Sequence, residues 1–255
     1  MEERICYKQI PIYFFLAVIY FFPKSAFAAA PFISDDADVL ASQHFQLFIY
    51  SKIYSKSYSS DLGLPTIELD YGLIKNIEID LTTQISTNIP TSGNSTIGLG
   101  DSEIKLKYKI IKETINYPEI SIEPTLELPT GNAERNLGNG KTWYQLPLWI
   151  EKSWNSWTTY GGGGYAINSA PDAKNYFFGG WVLQKNFSYP LAIGLELYTQ
   201  GATAKHNISD SGSYTLVDIG ATYNLNSYTT LLFSVGHNVL GQALWYAYLG
   251  LNFQL

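Results

Sequence analysis

The sequence predicts an all-β protein, a single antiparallel transmembrane β-barrel of about twelve strands of the outer-membrane type. Three observations carry this expectation. After residue 28, polarity alternates with a period of two, which marks strands with two unlike faces. Most alternating segments exceed the roughly 5–6 residues usual in soluble strands and suit the roughly 9–11 of a tilted spanning strand. Their connections alternate between short and longer, as at the two ends of an outer-membrane barrel.

Composition narrows the alternatives. The chain has 255 residues, of which 46% are hydrophobic, 15% aromatic and only 15% charged. About 25% charge is typical of globular domains. So aromatic a chain, so poor in charge, is not a disordered one. A net charge of −6 argues against a nucleic-acid partner, whose phosphates need a basic surface. The single cysteine, Cys6, excludes a disulfide scaffold.

The first segment reads as an address. The apolar run Ile10–Phe22 is shorter than the roughly 17–25 residues of a spanning helix. It follows a polar start and leads to Ala26-Phe27-Ala28, a small-x-small cleavage signal. Residues 1–28 are therefore expected to be a cleaved signal peptide, and 29–255 the barrel domain. Cleavage removes three of the 16 bases, two of the 22 acids and Cys6. The mature chain then has no thiolate for a metal or a disulfide.

Twelve strands are expected at about residues 43–54, 64–74, 76–87, 98–111, 117–129, 141–154, 156–167, 174–187, 190–202, 213–225, 227–238 and 243–255. Ile67-Glu68-Leu69-Asp70-Tyr71 and Asn76-Ile77-Glu78-Ile79-Asp80-Leu81 alternate with acids. Glu103-Ile104-Lys105-Leu106-Lys107-Tyr108-Lys109-Ile110 alternates with bases. Short links fall at Lys75, Lys112–Asn116, Asn155, Ser188-Tyr189 and Asn226. Longer polar loops are expected at Ser55–Gly63, Asn88–Ile97, Thr130–Gly140, Asn168–Ala173 and Thr203–Gly212. The last link, Val239–Gln242, is short. Both termini then lie at the short-turn, periplasmic end.

In lipid a sheet must close on itself, and its apolar face must point outward. Ile67, Leu69, Ile77, Ile79, Leu81, Ile104, Leu106, Ile193, Leu195, Val217 and Ile219 are expected to meet lipid. Trp143, Trp154, Trp157, Tyr189, Tyr228 and Trp245 sit near strand ends, where aromatic girdles form. In the last strand Trp245, Ala247, Leu249, Leu251, Phe253 and Leu255 share one face. That pattern resembles the C-terminal signal of outer-membrane proteins, with Leu255 in place of the usual Phe.

The lumen face carries the candidate site. Lys105, Lys107 and Lys109 form a basic ladder on the fourth strand, between acid columns on the third and fifth. Glu78, Asp80, Glu123, Glu127, Glu196 and Asp218 are the acids expected to face the lumen with it and to contribute to selectivity. Two roles are compatible with this belt, a salt-bridged filling and a selective constriction. The excess of acids predicts a preference for cations.

Several stretches resemble the outer-membrane family described as Putative MetA-pathway of phenol degradation. They are Pro31–Ala37, Gly98–Asp101 leading into Lys105–Tyr108, Leu126–Gly131, Leu146–Trp149 with Lys152-Ser153, Tyr160–Tyr165 and Asn175–Trp181. The resemblance implies an outer-membrane barrel that passes small aromatic or hydrophobic molecules. It carries over no catalytic residue.

Other chemistries find little support. Gly140-Lys141-Thr142 lacks the first glycine of a nucleotide loop, and no helix follows. His44, His206 and His237 are dispersed, and Ser234 and His237 fall on opposite faces of a strand. No catalytic site, metal or cofactor is expected. Asn132, Glu134 and Asn136 read as a polar loop rather than an ion site. The expected partners are outer-membrane lipid and a small solute. The alternatives to a channel are a structural or adhesive barrel and, less well supported, a membrane hydrolase.

Overall fold

The computed structural model describes residues 31–205 and 210–255, so the expected signal peptide and His206 lie outside the described residues. The strands are β1 (Phe45–Lys56), β2 (Ser59–Ile74), β3 (Ile77–Pro90), β4 (Thr96–Leu99), β5 (Ser102–Ile111), β6 (Glu119–Ile122) and β7 (Thr125–Leu128). They continue with β8 (Trp143–Trp154), β9 (Trp157–Asn168), β10 (Tyr176–Asn186), β11 (Leu191–Gln200), β12 (Tyr214–Asn224), β13 (Thr229–Gly241) and β14 (Leu244–Gln254). All belong to one antiparallel sheet, and β1 pairs with β14 to close it. β4 and β5 both pair with β3, while β6 and β7 both lie between β5 and β8. Each couple is one spanning strand broken once, which makes the barrel twelve-stranded.

Both breaks have local causes. Pro124 has no N–H to give to a ladder. The wall stays bonded there because the Glu123 amide donates to the Pro147 carbonyl at 3.2 Å. At the other break Asp101 turns inward and accepts the Gly131 amide at 2.8 Å. Thr130 Oγ1 donates to the Gly100 carbonyl at 2.8 Å. The sequence stretches Gly98–Asp101 and Leu126–Gly131 thus meet at one junction.

The alternation is turned outward, as a lipid solvent requires. Ile67, Leu81, Ile104, Leu106, Ile193, Leu195 and Ile219 are exposed, and Leu69, Ile77, Ile79 and Val217 are half-buried. Asp70, Glu78, Asp80, Glu196 and Asp218 are buried inside. On β14, Trp245 and Leu249 point out while Tyr246, Tyr248 and Asn252 point in. Trp154, Trp157, Tyr189, Tyr228 and Trp245 are exposed at strand ends. Trp143 departs from the expected girdle and lines the interior.

Two expected long loops are largely strand, and most of the expected short link Val239–Gln242 belongs to β13. The Ser55–Gly63 loop shrinks to residues 57 and 58, because Lys56 and Asp61 pair across the hairpin at 2.8 Å. An irregularity between Gly63 and Thr66 shifts the alternation of β2, and this hid the strand in the sequence. The Asn88–Ile97 loop likewise shrinks to residues 91–95. In the Thr130–Gly140 loop, Asn132 caps a short 3-10 turn at Ala133–Arg135, its side chain accepting the Arg135 amide.

A wall gap near the glycine-rich strands would offer solutes a lateral exit. The ladder there is unbroken, from Tyr176 opposite Ala166 to Lys185 opposite Trp157. The glycines allow close approach of backbones instead. A Cβ on Gly162 would lie 2.0 Å from the Leu148 carbonyl oxygen. Gly162→Val is therefore expected to prevent barrel closure. Unheated electrophoresis in SDS, where a closed barrel and its unfolded chain migrate differently, checks this.

Candidate lumen site

The lumen is not empty. Residues 31–44 turn in from the end that carries the short turns and cross the barrel interior. Phe32, Ser34, Asp36, Ala37 and Val39 are buried there. The wall is shaped to receive them. Gly194 and Gly220 stand opposite each other on β11 and β12, and the Phe32 ring lies where a Cβ on either would be. A Cβ on Gly180 would meet Ser34 Oγ at 2.3 Å. Glycine at these three positions leaves room for the segment.

Polar contacts fix the segment along its length. Glu196 accepts the amides of Ile33 and Ser34 at 2.9 and 2.7 Å. Ser234 Oγ donates to the Pro31 carbonyl at 2.9 Å, and Glu78 accepts the Leu40 amide. A carboxylate that accepts backbone amides contributes more than a neutral acceptor.

The lysine ladder lies beside the acid columns in register, Lys105 opposite Asp80 and Lys107 opposite Glu78. Its short ion pairs run elsewhere. Lys105 reaches Glu68 at 2.7 Å. Lys107 contacts Asp35 at 3.0 Å, Glu123 at 3.6 Å and Asp36 at 3.7 Å. Lys109 contacts Asp38 at 2.7 Å and Glu119 at 2.8 Å. The belt thus joins the wall to the N-terminal segment. Burial opposes ionisation of Asp35, but Lys107 and Lys105 outweigh it and hold its carboxyl below the usual range. Burial prevails at Asp36, which Lys107 only partly offsets, and pushes its carboxyl well above that range.

Of the other candidate acids, Glu196 and Asp218 stand opposite each other on β11 and β12. Glu196 binds the segment, Glu127 stands opposite Glu103, and Asp218 is fully buried on β12. Asp70, Glu78 and Asp80 bring carboxylate oxygens within 4.8 Å of one another. Ser234 faces the lumen, whereas His237 packs edge-on against Trp245 outside, so the two do not meet. Sequence reading missed Asp35, Asp36 and Asp38 as partners of the ladder. The available signal was the acid-rich run Ser34–Asp38, adjoining a barrel whose fourth strand holds three lumen lysines.

The crossing segment leaves chambers on both sides. One, of about 400 Å³, lies towards the long loops and is lined by Tyr54, Trp143, Trp149, Tyr176, Phe178, Tyr198 and Tyr214. Another, of about 440 Å³, lies towards the short turns, where Trp157, Tyr160, Phe187 and Leu191 are interleaved with polar side chains such as Ser153, Thr158, Gln184 and Asn186.

Residues 28–253 match the family model described as Putative MetA-pathway of phenol degradation. The chain belongs to this family. Its barrel is similar to the COG4313 outer membrane channel from Pseudomonas putida F1, with 16% identity, a TM-score of 0.68, and coverage of 86% of this chain and 98% of that one. It is also similar to the KdgM porin, at 9% identity, a TM-score of 0.55, and coverage of 82% and 99%. The translocator domain of the autotransporter NalP from Neisseria meningitidis gives 10% identity, a TM-score of 0.55, and coverage of 84% and 89%. No curated protein matches the chain by sequence. At these identities the likeness establishes the fold, which this member of the phenol-degradation family shares with outer-membrane channels and porins.

Lys107 is the knot of the site. Removing one partner of a buried ion pair costs about 3–5 kcal/mol. Lys107→Met is expected to undock the N-terminal segment. In a Ser34→Cys background, maleimide should label the Lys107→Met protein and leave the parent protected.

Proposed function

We propose that the protein is a passive channel of a Gram-negative outer membrane for small aromatic or hydrophobic molecules, exported by a cleaved signal peptide at residues 1–28. The observation that carries this reading is the aromatic chamber of about 400 Å³ inside the barrel. A cavity of this size can hold a small molecule, and its rings supply apolar contact among charged groups such as Lys52, Asp61, Glu103 and Glu127. Solutes enter among the long loops, rest against the rings, and pass the belt of Lys105, Lys107 and Lys109 with Glu78, Asp80 and Glu123. Passage requires the N-terminal segment to shift, because it crosses the lumen at this belt. The energy comes from the solute gradient alone. An adhesive or structural barrel would conduct nothing, and a hydrolase would need a nucleophile beside its base, which Ser234 and His237 do not provide.

Two outcomes test the reading in liposomes that contain the folded protein. Phenol-like aromatics should cross faster than small sugars, and deleting residues 31–40 should raise flux and single-channel conductance severalfold. Absence of flux and conductance from both proteins would favour the structural or adhesive reading. Replacing Lys105, Lys107 and Lys109 with Gln should strengthen cation preference, read as a shift in reversal potential under a salt gradient. An unchanged potential would remove the belt from selectivity.

A further inference from the structure

The aromatic chamber holds an unbalanced pair of acids. Most charges that reach it are matched. Lys56 pairs with Asp61, Lys105 with Glu68, and Lys107 with Asp35 and Glu123. Asp210 accepts the Tyr58 amide and the Ser59 hydroxyl. Glu103 and Glu127 differ. They stand directly opposite each other on β5 and β7, are half-buried, and lie in no ion pair among the described residues. Like charges facing each other on neighbouring strands repel. Lys52, the other base that lines the chamber, has no ion-pair partner among the described residues and can balance only one of them.

The surroundings favour a cation of a particular kind. Trp143 stands opposite Glu127 on β8, and Tyr54 and Tyr176 line the same chamber. The faces of Trp and Tyr rings attract cations, most strongly where water is excluded. A bare metal ion would be served by the carboxylates alone and would have no use for the rings. An organic ammonium uses both, its charge between the acids and its body against the rings.

We propose that this chamber is a binding site for small organic cations, protonated primary amines on a short aromatic or aliphatic body. Glu103 and Glu127 receive the ammonium, and Trp143 and Tyr176 cover the body. The volume of about 400 Å³ accommodates a molecule of this size with water. This inference rests on the channel reading and narrows its substrate class.

The test compares three near-isosteres on the folded protein in detergent, namely phenethylamine, 2-phenylethanol and 3-phenylpropionate, by calorimetric titration. The amine should bind about tenfold tighter than the alcohol, and the carboxylate should bind most weakly. The double variant Glu103→Gln, Glu127→Gln should bring the amine down to the affinity of the alcohol. Lys52→Gln should tighten amine binding. Equal affinities of the unaltered protein for all three, or a preference for the carboxylate, would overturn the proposal even if no variant folds. Liposome flux of the same three compounds separates the two ideas. Amine binding without passage of any solute would refute the channel and keep the site. Passage of aromatics without amine preference would refute the site and keep the channel.

Discussion

A backbone amide in the hydrocarbon of a bilayer has no water to bond, so the wall must satisfy every one of its own. Closure of β14 onto β1 meets that demand for the last edge of the sheet. The rest of the architecture follows from closure. A closed wall has an inside and an outside, and a strand that alternates must put one set of residues on each. Because the outside is lipid, the apolar set goes there, and the acids and lysines are gathered in the lumen. The breaks at Gly100-Asp101 and Glu123-Pro124 are tolerated because neighbouring groups supply the missing hydrogen bonds.

Gathering charge in a narrow lumen creates a second demand, since buried charges need partners. The wall meets it only in part. Lys107 and Lys109 find acids on the N-terminal segment, and Glu78 and Glu196 find its backbone amides. The segment is therefore part of the polar interior of the barrel. Gly180, Gly194 and Gly220 make the complementary adjustment by leaving space for Ser34, Pro31 and Phe32. Charge and shape agree on one docked position of the segment across the lumen.

On the long-loop side of that segment the interior changes character. Rings of Tyr, Trp and Phe stand among the charged groups there, and Glu103 and Glu127 face each other with Lys52 as the unpaired base among the described residues of the same chamber. On the short-turn side, apolar groups such as Trp157, Phe187 and Leu191 alternate with hydroxyls and amides.

Much of this was legible in the sequence, and the reason is periodicity. A period of two ties every residue of a strand to one face, so Ile77, Glu78, Ile79 and Asp80 declared their sides without any tertiary knowledge. Strand number and the inverted polarity followed in the same way. Legibility failed where periodicity is silent. The irregularity between Gly63 and Thr66 reset the phase and disguised a strand as a loop. Trp143 was read from its place near a strand end, which does not state its face. Lys105, Lys107 and Lys109 were identified, but their partners were not, because a ladder has candidates on every neighbouring strand and on any segment that enters the lumen. Residues 31–44 have no alternation to betray their course. The sequence by itself determined the closed twelve-stranded wall, since that depends on local alternation and on lipid. Only the tertiary structure decided what occupies the lumen, because that depends on which distant charges and cavities fit one another across the barrel.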